Sequence, residues 1–196
     1  MGSDPQQGLA LRVLGAWGDL RGSLRWLLAQ RPSETTLYVF FALSGLALFM
    51  AALANYVLSG GGPLTGEAIA GFLVTGFIVF GLIWPLTGYL LALIGHGLAR
   101  AFGGTGSGHA SRAAMAWAAL VASPVLVVAS LGGLAIAQAV PPGAADLIRS
   151  AGLVAFFVAL APCFAEAHGF SRAWPVVAVA ALLLVALLGA LGLATG

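Results

Sequence analysis

From Glu67 to Phe102 the chain is apolar almost without a break, well beyond the roughly 20 residues that one helical bilayer crossing needs. How often this stretch crosses decides the side on which every later segment lies. It is either one long span kinked at Pro85, or two short spans turning at Trp84-Pro85-Leu86-Thr87-Gly88. The positive-inside bias arbitrates. With one span, Arg12, Arg21, Arg25, Arg31, Arg100, Arg112 and Arg172 share a side, and Arg149 stands alone on the other. Splitting the stretch would carry Arg100, Arg112 and Arg172 across. One span is therefore expected, bent where proline removes a backbone donor.

The rest of the chain fits the same class. It is 61% hydrophobic and 7% charged, against about 25% charged in an ordinary soluble domain. An integral membrane protein follows. All eight basic residues are Arg, so P-loop, Schiff-base and lysine general-base chemistry are excluded. No dense basic patch interleaved with aromatics is present, so nucleic acid is not an expected partner. Cys163 stands alone and admits no intrachain disulfide. The first thirty residues hold no apolar core of the signal-peptide kind, and position six is Gln rather than the Ser/Thr of a myristoylation signal.

In chain order, residues 1–33 read as an amino-terminal region and 34–196 as the membrane domain. Across Leu9–Gln30, one arc of a helical wheel holds Val13, Leu14, Trp17, Leu20, Leu24, Leu27 and Leu28. Arg12, Asp19, Ser23 and Gln30 oppose it, with Arg21 and Arg25 at its edge, where long stems can snorkel. This reads as an amphipathic helix on the membrane face with its Arg heads near anionic lipid. Packing on the protein's own spans is the compatible alternative. Ser33 is the expected N-cap of span one, Thr35–Leu58. Span two ends in the glycine-rich turn after Arg100. Span three, Ala113–Gln138, carries a second kink at Pro124. Spans four and five cover Leu147–Phe164 and Trp174–Leu193. The expected fold is all-α: five transmembrane helices in a bundle, preceded by an amphipathic interfacial helix.

Three motifs carry a family resemblance. HGLARAFGGTGSG closes span two, AMAWAALVASP follows in span three, and AEAHGFSRAW closes span four. Together they resemble the Yip family, five-span membrane proteins of the Ypt/Rab-interacting type, in its bacterial branch, over about residues 34–193. The resemblance implies a five-helix bundle with a cytosolic amino terminus. Eukaryotic members bind small GTPases through their cytosolic amino-terminal regions. Here that region is short and Arg-bearing, so GTPase binding is not carried over, and bacterial relatives mostly lack an assigned activity.

Motifs for chemistry are sparse. Gly103–Gly108 invites a phosphate cradle flanked by Arg100 and Arg112, but G-x-G-x-x-G fails at His109 and no strand precedes it. Ser107 and His109 lack a nucleophile elbow and a nearby carboxylate. His96, His109, Cys163, Glu166 and His168 are metal-ligand types expected on one side, without a closed zinc spacing. No ionisable residue is expected at a span centre, where coupled carriers usually need one. The expectation is a non-enzymatic scaffold or adaptor, with no cofactor and no metal. It would bind membrane lipids and a protein partner or a second copy of itself at the cytoplasmic face of a bacterial inner membrane. Its amino terminus would be cytoplasmic and its carboxyl terminus periplasmic. Arg12, Arg21, Arg25, Arg100, His109, Arg112 and Arg172 are the expected contacts. The rival expectation is a small transporter or channel lined by spans two and three.

Overall fold

A computed structural model describes residues 8–60, 65–137, 139–141 and 143–172. The expected fifth span lies outside the described residues. These residues form six helices and no strand: α1 Leu9–Gly15, α2 Leu20–Ala29, α3 Glu34–Leu58, α4 Gly66–Ala101, α5 Gly108–Ile136 and α6 Ala144–Ala167. Helices α3, α4, α5 and most of α6, from Leu147 on, are long and apolar enough to cross a membrane. The chain is an all-α, multi-pass membrane bundle.

Helix α5 is the axis of the bundle. It packs on α6 most extensively, then on α3, the second half of α4, and α2. From Ala113 to Ser123 every residue is buried, because the run is mostly Ala and neighbouring backbones can approach closely. Trp117 is the large exception, 1% exposed and 5.6 Å from the Phe40 ring.

The stretch that opened the topology question is one continuous helix of 36 residues. Pro85 does not break it. Residues Phe77–Ile83 widen into a π segment, and the Trp84 amide bonds to the Val79 carbonyl, five residues back. Proline cannot donate to the carbonyl four residues before it, which is that of Gly81. Tyr38 Oη donates to Gly81 O instead, at 3.1 Å. In lipid an unsatisfied carbonyl costs several kcal/mol, so such a substitute is required. Pro124 sits inside α5, and Ser123 Oγ donates 2.9 Å to Leu120 O, the carbonyl that Pro124 leaves free.

Helix α3 closes on the π segment at Gly45. A Cβ there would stand 2.4 Å from Phe80 O. Beside it, Trp84 Nε1 donates to Ser44 Oγ at 3.0 Å, and Ser44 Oγ donates to Phe41 O at 2.9 Å.

The amino-terminal region differs from a single amphipathic helix over Leu9–Gln30. Asp19 is extended (φ −157°) and caps α2, its carboxylate accepting from Gly22 N at 2.8 Å. The break rotates the buried arc. Val13, Ala16, Leu24 and Leu27 are buried, whereas Leu14, expected among them, is 61% exposed. Trp17, Leu20 and Leu28 are partly buried against the same core. Helix α2 therefore lies on α6 and α5 rather than on lipid alone.

The tight approach at Gly45 generates a prediction. Gly45→Ala forces a backbone shift and should lower stability by about 1–3 kcal/mol. Gly71→Ala, where nothing lies within 4 Å, should be neutral or slightly stabilising. Thermal unfolding in detergent compares the two, and equal effects would remove the close-packing argument.

Candidate functional site

One end of the bundle collects the polar chemistry. It comprises the start of α3, the end of α4, the start of α5, the end of α6, and α2. Three clusters share it.

The first surrounds Glu34, the first residue of α3. Arg112 Nε lies 3.1 and 3.2 Å from the two carboxylate oxygens, and His109 Nδ1 lies 3.0 Å from Oε1. Tyr89 Oη reaches Oε2 at 3.3 Å. The cluster ties α3, α4 and α5 together. Ser33 anchors the same turn, its Oγ accepting from Thr36 N as the sequence predicts.

The second joins the amino-terminal region to α6. Arg25 Nε donates to Glu166 Oε1 at 2.8 Å. Arg21 donates to Phe170 O, and to Ser171 O at 3.2 Å. Trp117 Nε1 donates to Ser23 Oγ at 3.0 Å, adding a bond from α5. Burying Leu24 and Leu27 is worth about 1.5–3 kcal/mol each relative to water. Exposed ion pairs contribute less, so the leucines supply the docking strength and the ion pairs fix its position.

The third is the most enclosed. His168 caps α6 and is 1% exposed. Gly169 follows at φ +72°, its amide bonding Glu166 O, and Phe170 N bonds Ala165 O at 2.8 Å. This paired capping needs a left-handed residue, which Gly supplies without a Cβ penalty. Helix α4 ends the same way. Gly103 has φ +85°, its amide bonds Arg100 O, and Gly104 N bonds Ala99 O at 2.8 Å. The two capped ends meet where Thr105 N donates to His168 O at 3.0 Å. A Cβ on Gly106 would stand 2.1 Å from Ala167 O, so a larger residue cannot enter the turn unmoved.

Beneath the turn, His168 Nε2 is 2.8 Å from Ser111 Oγ, and His96 Nδ1 is 3.3 Å from the same oxygen. The Ser111 hydroxyl donates to Ser107 O at 3.2 Å. His168 then carries its proton on Nε2, a tautomer assigned from this network. Its Nδ1 is buried and has no hydrogen-bond partner among the described residues. Burial first, then His96 and Arg100, pull His168 below the ordinary histidine range. Protonation would place an N–H where no acceptor stands.

The geometry redistributes the residues expected to face partners or lipid. Arg21, Arg25 and Arg112 hold the protein's own groups, and Arg100 Nη1 donates to Gly104 O at 3.3 Å. His109 belongs to the Glu34 cluster. Arg12 lies over the Trp26 ring at 4.0 Å, and Arg172 is exposed. The phosphate-cradle reading loses three of its amides, since those of Gly103, Gly104 and Thr105 are already bonded. Ser107 Oγ caps α5 by accepting from Ala110 N and is not paired with His109. The metal-ligand types divide among the three clusters and the Cys163 site, where Sγ is 3.7 Å from Leu20 O. Among the described residues no three of them gather to hold an ion. Sequence reasoning missed Ser111, whose type is commonplace and whose histidine partners lie on other elements, and read Tyr89 only as a polar group of span two, not as a partner of Glu34. The buried His96–His168 pair had only its residue type as a signal.

Glu166→Gln should raise hydrogen exchange across Leu20–Ala29 while costing less stability than Leu24→Ala, for which about 2–5 kcal/mol is expected. The pH dependence has a definite sign. The folded chain holds His168 neutral, whereas the unfolded chain takes up a proton as pH falls below about 6.5. Stability should therefore fall on acidification from pH 7.5 to 5.5, and the gap between wild type and His168→Gln should narrow. Parallel pH curves would contradict this. No family model, no curated protein and no solved structure matches the chain.

Proposed function

We propose that the chain is a non-enzymatic scaffold or adaptor of the Yip type in a bacterial inner membrane. The end carrying α1 and α2 faces the cytoplasm and engages a protein partner or membrane lipids. The observation that carries this reading is the ridge on α1. Leu11 is 63% exposed and Leu14 61% exposed, on a helix whose other side holds buried Val13. Apolar residues displayed beside Arg12 at a membrane boundary suit an amphipathic surface. Placing this end in the cytoplasm draws on the positive-inside bias, and the gathering of Arg21, Arg25, Arg100 and Arg112 there supports it. The non-enzymatic reading is supported by how the candidate side chains are used: Ser107 caps α5, Asp19 caps α2, and Glu34 and Glu166 are engaged by arginine.

A second reading, a small transporter or channel between α4 and α5, draws on the π segment beside Pro85, since such segments recur at functional positions.

Purification from native membranes in nanodiscs, followed by proteomic mass spectrometry, tests the scaffold reading. A stoichiometric protein, or a second copy of the chain, should be retained and then lost from Leu11→Ser/Leu14→Ser. Retention unaffected by that variant, or no retained protein and no self-association, would move the weight to transport.

A further inference from the structure

A crevice of about 400 Å³ opens between α2 and the start of α3. Leu9, Trp26, Leu27, Phe40 and Trp117 line one part of it, and Gln30, Arg31, Ser33 and Thr36 another. The volume lies within the ~300–1,000 Å³ typical of small-ligand sites. It accommodates a headgroup and the upper part of an acyl chain rather than a whole lipid.

Its position and charge narrow the occupant. Helix α3 crosses the membrane from Glu34, so its first turn lies at the boundary between lipid and water. The crevice opens at that level, where the surrounding solvent is phospholipid. Its apolar part would take methylenes and its polar part a headgroup. No Asp or Glu lines it. Arg31 contributes a positive charge to the wall. The nearest acid in sequence, Glu34, is held by Arg112 and His109. The Arg31 side chain is exposed and forms no hydrogen bond or ion pair among the described residues.

We propose that this crevice binds one anionic phospholipid, its phosphate at Arg31 and its upper acyl chain along Trp26, Leu27 and Phe40. The proposal deepens the reading of this end as a lipid- and partner-facing surface and rests on it. The site lies apart from the α1 ridge, so the two can fail separately.

The experiment is native mass spectrometry of the full chain released from nanodiscs of equimolar phosphatidylglycerol and phosphatidylcholine. Wild type should retain one phosphatidylglycerol in preference to phosphatidylcholine. Arg31→Gln should reduce that preference about fivefold, the effect of one interfacial arginine. Arg31→Lys should keep most of it, since a point charge still serves a phosphate. Arg172→Gln, an exposed arginine outside the crevice, should leave it unchanged. A thermal melt of each variant separates loss of the site from loss of fold, and should Arg31→Gln unfold, Thr36→Leu replaces it as the probe of the polar wall. Equal retention of both lipids, or a preference abolished by Arg172→Gln but not by changes in the crevice, would overturn the proposal. A failed partner capture with intact lipid selectivity would leave this site standing and remove only the adaptor reading.

Discussion

Scarcity of charge governs this protein. Six carboxylates and eight arginines serve 196 residues, and a charge left unpaired near hydrocarbon is costly. Two of the carboxylates act as junctions. Glu34 joins the start of α3 to the start of α5, and Glu166 joins the end of α6 to α2. Both lie at the bundle end where Arg21, Arg25, Arg100 and Arg112 gather. The arginines there are largely occupied in holding the fold together, which leaves Arg31 as the charge in the wall of an open crevice.

The same economy applies to the backbone. A membrane interior offers no water to satisfy a freed carbonyl. Pro85 and Pro124 each free one, and each is answered by a hydroxyl: Tyr38 for Gly81 and Ser123 for Leu120. At the ends of α4 and α6, glycines at positive φ let the chain cap its own helices, and the Gly103, Gly104 and Thr105 amides of the turn between α4 and α5 are bonded within the protein. What looks in sequence like an anion-binding loop is a lid over His168. Gly104 and Gly106 are required by the close approach of this backbone to Ala167 and the His168 ring.

Much of this was legible in the sequence. Apolar length identified the four spans of the described residues, and the distribution of arginine kept α4 whole across Pro85. Ser33, followed by Glu34 and an apolar run, marked the start of α3. The amphipathic character of the first thirty residues was visible as well. What was not legible depended on contacts between distant segments. The break at Asp19 shifts the buried arc away from Leu14, because the Asp carboxylate caps a new helix where periodicity alone continues the old one. Arg21 and Arg25 read as lipid-facing because their partners, Phe170, Ser171 and Glu166, lie far along the chain. The π segment answers a proline already noted, but its placement follows from the carbonyl contact at Gly45, which no local pattern announces.

Helix α2 is a fixed part of the bundle rather than a helix floating on lipid. Cys163 offers a direct test, being the single cysteine and lying with its Sγ 3.7 Å from the Leu20 carbonyl. A Leu20→Cys variant in native membranes, treated with a mild oxidant, should form an internal disulfide. It would run as a faster band on a denaturing gel and revert on reduction, while wild type is unaffected. If the introduced thiol instead stays free and reacts fully with a thiol reagent, α2 does not rest on α6, and the closed polar end described here is wrong.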